Sequence, residues 1–214
     1  MNATMFSALA PILILSLTAI ALMIQASIKR DQSVAWVITA IGFLLSLWGA
    51  SYARDFIQSV TILLQVDHWS LFFTSLILLA SLVILGLSRD IFSPEGERKE
   101  EYYLLLVLSV LGAVVLIQST HMVSLLLGME LMGVALYAMI AFPERGELPL
   151  EGAIKYLVLS ACASAMLLGD VSVYDEIISF FNTDLDTVEH FSRLIEELFE
   201  MVGNTFFMVA FTQQ

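Results

Sequence analysis

The chain has 214 residues, 59% of them hydrophobic and only 14% charged, which excludes a soluble globular domain and a disordered chain, since soluble domains carry about 25% charge. Its formal charge of −12 comes from 9 Lys+Arg against 21 Asp+Glu, so there is no basic face to bind nucleic acid. At about 20 apolar residues per crossing, what remains is an all-α membrane protein in a lipid bilayer.

Six apolar segments follow one another. The first runs from about Met5 to Ile28 and ends at Lys29-Arg30-Asp31. No basic residue precedes it, so it reads as a retained first helix and not as a cleaved signal peptide. The second runs from about Val34 to Ala50, with Trp36 and Trp48 near its ends, where aromatic belts sit. Ser51 to His68 is of mixed polarity, and its centre, Val60 to Val66, is β-prone and too short to span. It is expected to be a surface strand or interfacial segment.

The third span is about Trp69 to Leu87, followed by a polar loop, Ser88 to Glu101, with Pro94 and Gly96. The fourth, about Tyr102 to Ile117, and the fifth, about Met122 to Phe142, flank a short turn at Ser119-Thr120-His121 and so form a tight antiparallel hairpin. The loop Pro143 to Pro149 leads to the sixth span, about Leu150 to Leu168. Alternate loops hold Lys29 and Arg30, then Arg89, Arg98 and Lys99, then Arg145, while the opposite side holds Arg54. By the positive-inside rule the N-terminus lies outside, periplasmic for a bacterial inner membrane.

Residues 1–169 carry 8 basic and 12 acidic residues, and residues 170–214 carry 1 and 9. The chain therefore divides into a membrane region, 1–169, and an acidic tail, 170–214. In the tail, Ser172 with Asp175 and Asp186 with Glu189 read as capping pairs. Val188, Phe191, Leu194, Ile195, Leu198 and Val202 form one stripe of an amphipathic helix, with Gly203-Asn204 as its stop. Its acidic face favours docking onto protein over anionic lipid.

No Gly-rich phosphate loop, Ser-His-Asp order or metal-spaced cluster occurs. His68, His121 and His190 are dispersed; His121 could exchange protons at the outer turn, and its plainer reading is an interfacial histidine. Cys162 has no partner for a disulfide and reads as a small packing residue. The informative residues are two charges inside apolar spans. Glu130 lies about 12 Å in from the outer end of the fifth span, where a charge costs at least about 2.5–3.5 kcal/mol and must face protein or water. It is a proton-exchanging carboxyl, or a neutral one that links two helices. Lys155 lies about 8 Å from the cytoplasmic end of the sixth span, within snorkelling reach. The two form a candidate proton-relay pair whose depths differ by about 10 Å, so waters or polar groups must intervene. Lys155 is taken to be partly buried, with Glu151 pointing elsewhere. The small residues Ser160, Ala161, Ser164 and Ala165 suit close helix packing.

The segments Leu125-Leu126-Leu127-Gly128-Met129-Glu130-Leu131 and Leu150-Glu151-Gly152-Ala153-Ile154-Lys155-Tyr156, continuing through Ala165, resemble the antiporter-like subunits of proton-pumping NADH:quinone oxidoreductase (respiratory complex I), most nearly the bacterial subunit N. Val66-Asp67-His68-Trp69-Ser70-Leu71-Phe72-Phe73 and Glu100-Glu101-Tyr102-Tyr103-Leu104-Leu105 are similar to that family too. The resemblance covers residues 5–168. It implies proton translocation coupled to quinone reduction, with Glu130 in the intramembrane charge pair and Lys155 a membrane-embedded lysine of the relay. It implies other membrane-arm subunits as partners and no cofactor on this chain, with NADH, FMN, iron–sulfur clusters and quinone elsewhere in the complex. The family continues beyond a sixth span, where its channel lysine lies, and residues 170–214 have no counterpart in it. An N-terminal portion with an unrelated tail is the expectation, as from a truncated gene, a frameshift, a fusion or an artificial sequence, and alone it should not pump. Two other classes stay open. One is a cation/proton antiporter or membrane-hydrogenase subunit, which neighbouring genes would identify. The other is a non-catalytic anchor presenting the tail, which deletion of 170–214 and loss of pulled-down partners would identify.

Overall fold

The computed structural model describes residues 3–28, 31–54, 58–59, 63–91, 99–142 and 149–168. In chain order the elements are α1 (Ala3–Ala8), α2 (Ala10–Ile28), α3 (Gln32–Ala53), β1 (Gln58–Ser59), β2 (Gln65–Val66), α4 (His68–Ile91), α5 (Lys99–Gln118), α6 (Met122–Ala141) and α7 (Pro149–Leu168). Five of these helices, α2 to α6, are long and apolar enough to cross a membrane. A helix of 20 residues, α7, stands where the sixth span is expected. The chain is a multi-pass helical membrane protein. It divides into two units, 1–157 and 158–214, and of the second only the end of α7 is described. The capping pairs and amphipathic stripe expected in 170–214 lie outside the described residues.

The first expected span is not one helix. It breaks at Leu9, between α1 and α2. Pro11 has no N–H to give to the carbonyl four residues back, and its ring crowds that carbonyl, so a helix cannot run through it. Pro11 sits instead in the first turn of α2, where the missing donor costs nothing.

The β-prone segment is a small interfacial pairing. Gln58 and Ser59 of β1 lie antiparallel to Val66 and Gln65 of β2, and Leu64 bridges to Ser119. Residues 60–62 lie outside the described residues. The Leu63 carbonyl accepts from Thr120 N–H at 3.0 Å and from the Ser124 hydroxyl at 2.7 Å. So this segment fastens onto the turn between α5 and α6.

Helix starts follow local chemistry. The Asp31 carboxylate accepts from Ser33 N–H at 3.0 Å and caps α3. At α4, Asp67 accepts from Ser70 N–H at 2.6 Å, and the Ser70 hydroxyl accepts from Asp67 N–H at 2.9 Å. This reciprocal pair satisfies two donors that the first turn would otherwise leave open. Thus Asp67 and Ser70, within a stretch that carries the family resemblance, act as a helix start. Asp67→Ala is expected to cost about 1 kcal/mol, measured as a lower melting temperature of the purified chain; an unchanged melt would show that the cap contributes nothing.

The interior lies along steps of three and four. In α4, Leu71, Thr74, Leu78, Ser81, Leu85 and Ser88 are buried, while Phe72, Leu76, Leu79, Val83 and Leu87 are exposed. Small hydroxyl residues on the inner seam let helices approach, and the apolar outer face suits lipid. Ser81 and Ser88 satisfy their hydroxyls on their own helix, donating to Ile77 and Leu85 carbonyls at 2.8 and 2.9 Å. The main core joins Leu15 and Leu22 of α2, Phe43 of α3, Leu78 and Leu85 of α4, and Tyr103, Val107 and Val114 of α5. Trp36 donates to the Leu85 carbonyl at 3.1 Å and ties α3 to α4.

Candidate functional site

The expected hairpin of α5 and α6 is present, joined through Ser119 to His121. Its closest approach is backbone against backbone. A Cβ built on Gly112 would lie 2.5 Å from Met132 N and 2.9 Å from the Gly128 carbonyl oxygen. One built on Gly128 would lie 2.8 Å from Leu116 N and 3.0 Å from the Gly112 carbonyl oxygen. Only glycine fits at either site.

This contact fixes which way Glu130 points. Gly128 and Met132 face α5. Glu130 is two residues from each, about 200° round the helix at 3.6 residues per turn, and so projects from the opposite side of α6. It is half-buried there. Its flanks on that face, Leu127 and Val134, are 61% and 59% exposed. Tyr137 lies on the same face, and its ring meets Tyr156 of α7 edge to face, with centroids 5.3 Å apart. Gly152 of α7 also lies against Ile140 of α6, its built Cβ 3.6 Å from Ile140 Cγ2.

Lys155 is not partly buried and Glu151 does not point elsewhere. The Lys155 ammonium donates to Glu151 Oε1, and 62% of the lysine side chain is exposed. The two residues are four apart, so they stand one above the other on one helix face. Structure therefore brings Lys155 onto Glu151, next in sequence to the Tyr156 ring that touches α6.

His121 has a structural task at the outer turn: its Nδ1 accepts from Val123 N–H at 3.3 Å and caps α6. Beside it, the Gln118 side chain is 1% exposed, and both its amide atoms lack a hydrogen-bond partner among the described residues. His68 opens α4, and His190 lies outside the described residues. Cys162 lies in α7, its side chain outside them too. Among the described residues, no group of three or more His, Cys, Asp or Glu side chains could hold a metal ion.

Two features of this site escaped the sequence reading. Glycines at 112 and 128, each inside an apolar helix where glycine is costly, signal the close approach in hindsight. Tyr137 carries no such signal, because its role depends on a contact with another helix.

No family model matches the chain. Subunit N of the NADH-quinone oxidoreductase of Acinetobacter baumannii (strain AB0057) is 35% identical over 190 residues, covering 81% of this chain and 38% of that protein. The subunit N of Methylococcus capsulatus (strain ATCC 33009 / NCIMB 11132 / Bath) is 37% identical over 179 residues, covering 83% of this chain and 36% of that protein. A chain of respiratory complex I from Thermus thermophilus, determined with bound aureothin, superposes with a TM-score of 0.64 at 27% identity, covering 74% of this chain and 34% of that one. The chain thus spans under two-fifths of the length of these curated relatives. Over the part that aligns, the chain is similar to subunit N of NADH-quinone oxidoreductases, at 35% and 37% identity.

Proposed function

We propose that this chain supplies part of the membrane arm of a proton-translocating NADH-quinone oxidoreductase, with Glu130 as its proton-exchanging carboxyl. The observation that carries this reading is the placement of Glu130. It stands in the middle of a helix apolar enough to cross a membrane, on the face turned away from α5, and such a group must meet protein or water. The relatives' shared name supports the complex. Lys155, held by Glu151, serves as the accessory cation near the cytoplasmic end.

In this reading residues 1–169 are the membrane module and 170–214 a separate acidic tail. The N-terminus lies outside, in the periplasm of a bacterial inner membrane, with Lys29, Arg30, Arg89, Arg98, Lys99 and Arg145 in the cytoplasm. Other membrane-arm subunits cover the Leu127–Val134 face. Electron transfer, with its NADH, FMN, iron–sulfur clusters and quinone, takes place on other chains.

A chimera tests the reading. The matching part of the Acinetobacter baumannii subunit N is replaced by residues 1–168 of this chain, and inverted membrane vesicles respire on NADH. The chimera is expected to co-purify with the complex and to acidify the vesicle lumen. A chimera that assembles and oxidises NADH but moves the same number of protons per electron with Glu130→Ala would sink the role of Glu130.

A further inference from the structure

We propose that the Tyr137 hydroxyl is the polar group that links the Glu130 carboxyl to the Lys155 end of α7 across water. This rests on the proton-path reading of Glu130. Glu130 and Lys155 lie at depths about 10 Å apart, too far for their side chains to exchange a proton without something between them. Glu130, Gly133 and Tyr137 follow one another at steps of three and four and share one face of α6.

The position of the hydroxyl is set by Gly133. A Cβ built on that glycine would lie 2.6 Å from Tyr137 Oη and 3.1 Å from its Cζ. The tyrosine therefore leans back along its own helix and lays its hydroxyl in the notch left by the missing side chain. Helical side chains lean toward the N-terminus, and on α6 that is the direction of Glu130. The hydroxyl is thus brought to the level of Gly133, only about 4.5 Å along the axis from Glu130. The same ring meets Tyr156, centroids 5.3 Å apart, and Tyr156 is next in sequence to Lys155. One side chain covers about half of the depth between the two charges.

A phenol hydroxyl donates one hydrogen bond and accepts others. A water on the α7 side passes a proton to its oxygen and is refilled from the Lys155 ammonium, while the original hydroxyl proton leaves to the Glu130 carboxylate. At the tyrosine one O–H bond forms and one breaks, so it is left unchanged, with Lys155 neutral and Glu130 protonated. Because Tyr137 acts through Glu130, it is a positioning and relay residue. Its partner on the carboxyl side is the group whose state can be read.

The test is infrared spectroscopy of the purified full chain in lipid nanodiscs, as acid-induced difference spectra. The protonated Glu130 carboxyl is identified as the C=O band that Glu130→Gln removes. Tyr137→Phe keeps the ring against Tyr156 and deletes only the hydroxyl. Gly133→Ala keeps the hydroxyl and pushes it out of the notch; the displaced atom is the end of a flexible side chain, so the fold tolerates the change. Both variants are expected to move the Glu130 band to higher frequency, as a carboxyl does on losing a hydrogen bond, with unchanged helix content. A band that stays in place in both variants overturns the proposal. So does the absence of any band that Glu130→Gln removes, because a carboxyl that never takes a proton has none to receive from the hydroxyl. If the band shifts but the chimera pumps fully with Glu130→Ala, the proton-path reading falls while the link stands. If pumping depends on Glu130 and the band does not shift, the link alone falls.

Discussion

Gly128→Leu is expected to abolish recovery of a folded chain from membranes, and Gly112→Leu to do the same. The atoms that a side chain at position 128 would strike are Leu116 N at 2.8 Å and the Gly112 carbonyl oxygen at 3.0 Å. Both are backbone, in a helix whose Val110 and Val114 are packed into the core. No rotamer change can make room; α5 and α6 would have to separate along their length. Overpacking of a well-filled site costs up to about 3 kcal/mol even where side chains can give, and here they cannot. In a membrane the loss is compounded, because close contact of small residues is itself a source of helix association. The measurement is the yield of monodisperse protein in mild detergent and its melting temperature. Native yield and melt for Gly128→Leu would mean that α5 and α6 do not touch in this way.

At Glu130, three substitutions separate the two roles that the position permits. As a proton carrier, Glu130→Gln and Glu130→Ala should both slow proton movement, by about a hundredfold or more at the step served, which is the usual loss when a placed acid–base group is removed. As a neutral link between helices, Glu130→Gln should behave like the native chain, since an amide hydrogen-bonds as well as a protonated carboxyl. Glu130→Leu should then weaken the fold, since the hydrogen bond between helices is lost, whereas for a carrier it should leave the fold at least as stable, since a membrane-buried ionisable group is costly. Protons moved per NADH oxidised, with assembly checked by co-purification, distinguish these outcomes. Full pumping by Glu130→Gln would rule out the carrier.

Much of the fold follows from patterns in the chain. The spans were legible because lipid demands about 20 apolar residues in a row, and the α5–α6 hairpin because so few residues separate two such runs. Pro11 could have shown the break at Leu9, since its lack of an N–H is a local fact. The inner seam of α4 was also there to be read: Thr74, Ser81 and Ser88 recur every seven residues, with leucines between them. Total hydropathy hides that pattern, because a membrane helix is apolar all round and its two faces differ mainly in the size of their side chains.

The site was legible in part. Glu130 was conspicuous as a carboxylate in an apolar run. Glu151 pairs with Lys155 against the expectation that it points elsewhere, although their four-residue spacing is enough to pair them. Tyr137 was missed because an aromatic in an apolar helix is ordinary, and its meaning comes from a notch on its own helix and a ring on another. The pairing of β1 with β2, and the fastening of Leu63 to the α5–α6 turn, depend on contacts between separate segments that no local pattern announces.

The backbone contact at Gly112 and Gly128 also acts mechanically. Two helices held apart by long side chains can roll or slide against each other as those side chains change rotamer. Two helices touching main chain to main chain are keyed. Rolling α6 would drive Leu125 or Leu131 into α5, and sliding it would move a bulkier residue into a gap that admits only glycine. Glu130 is therefore mounted on a post that neither turns nor rides up and down. Whatever changes its surroundings must come from the groups around it, not from movement of the helix that carries it.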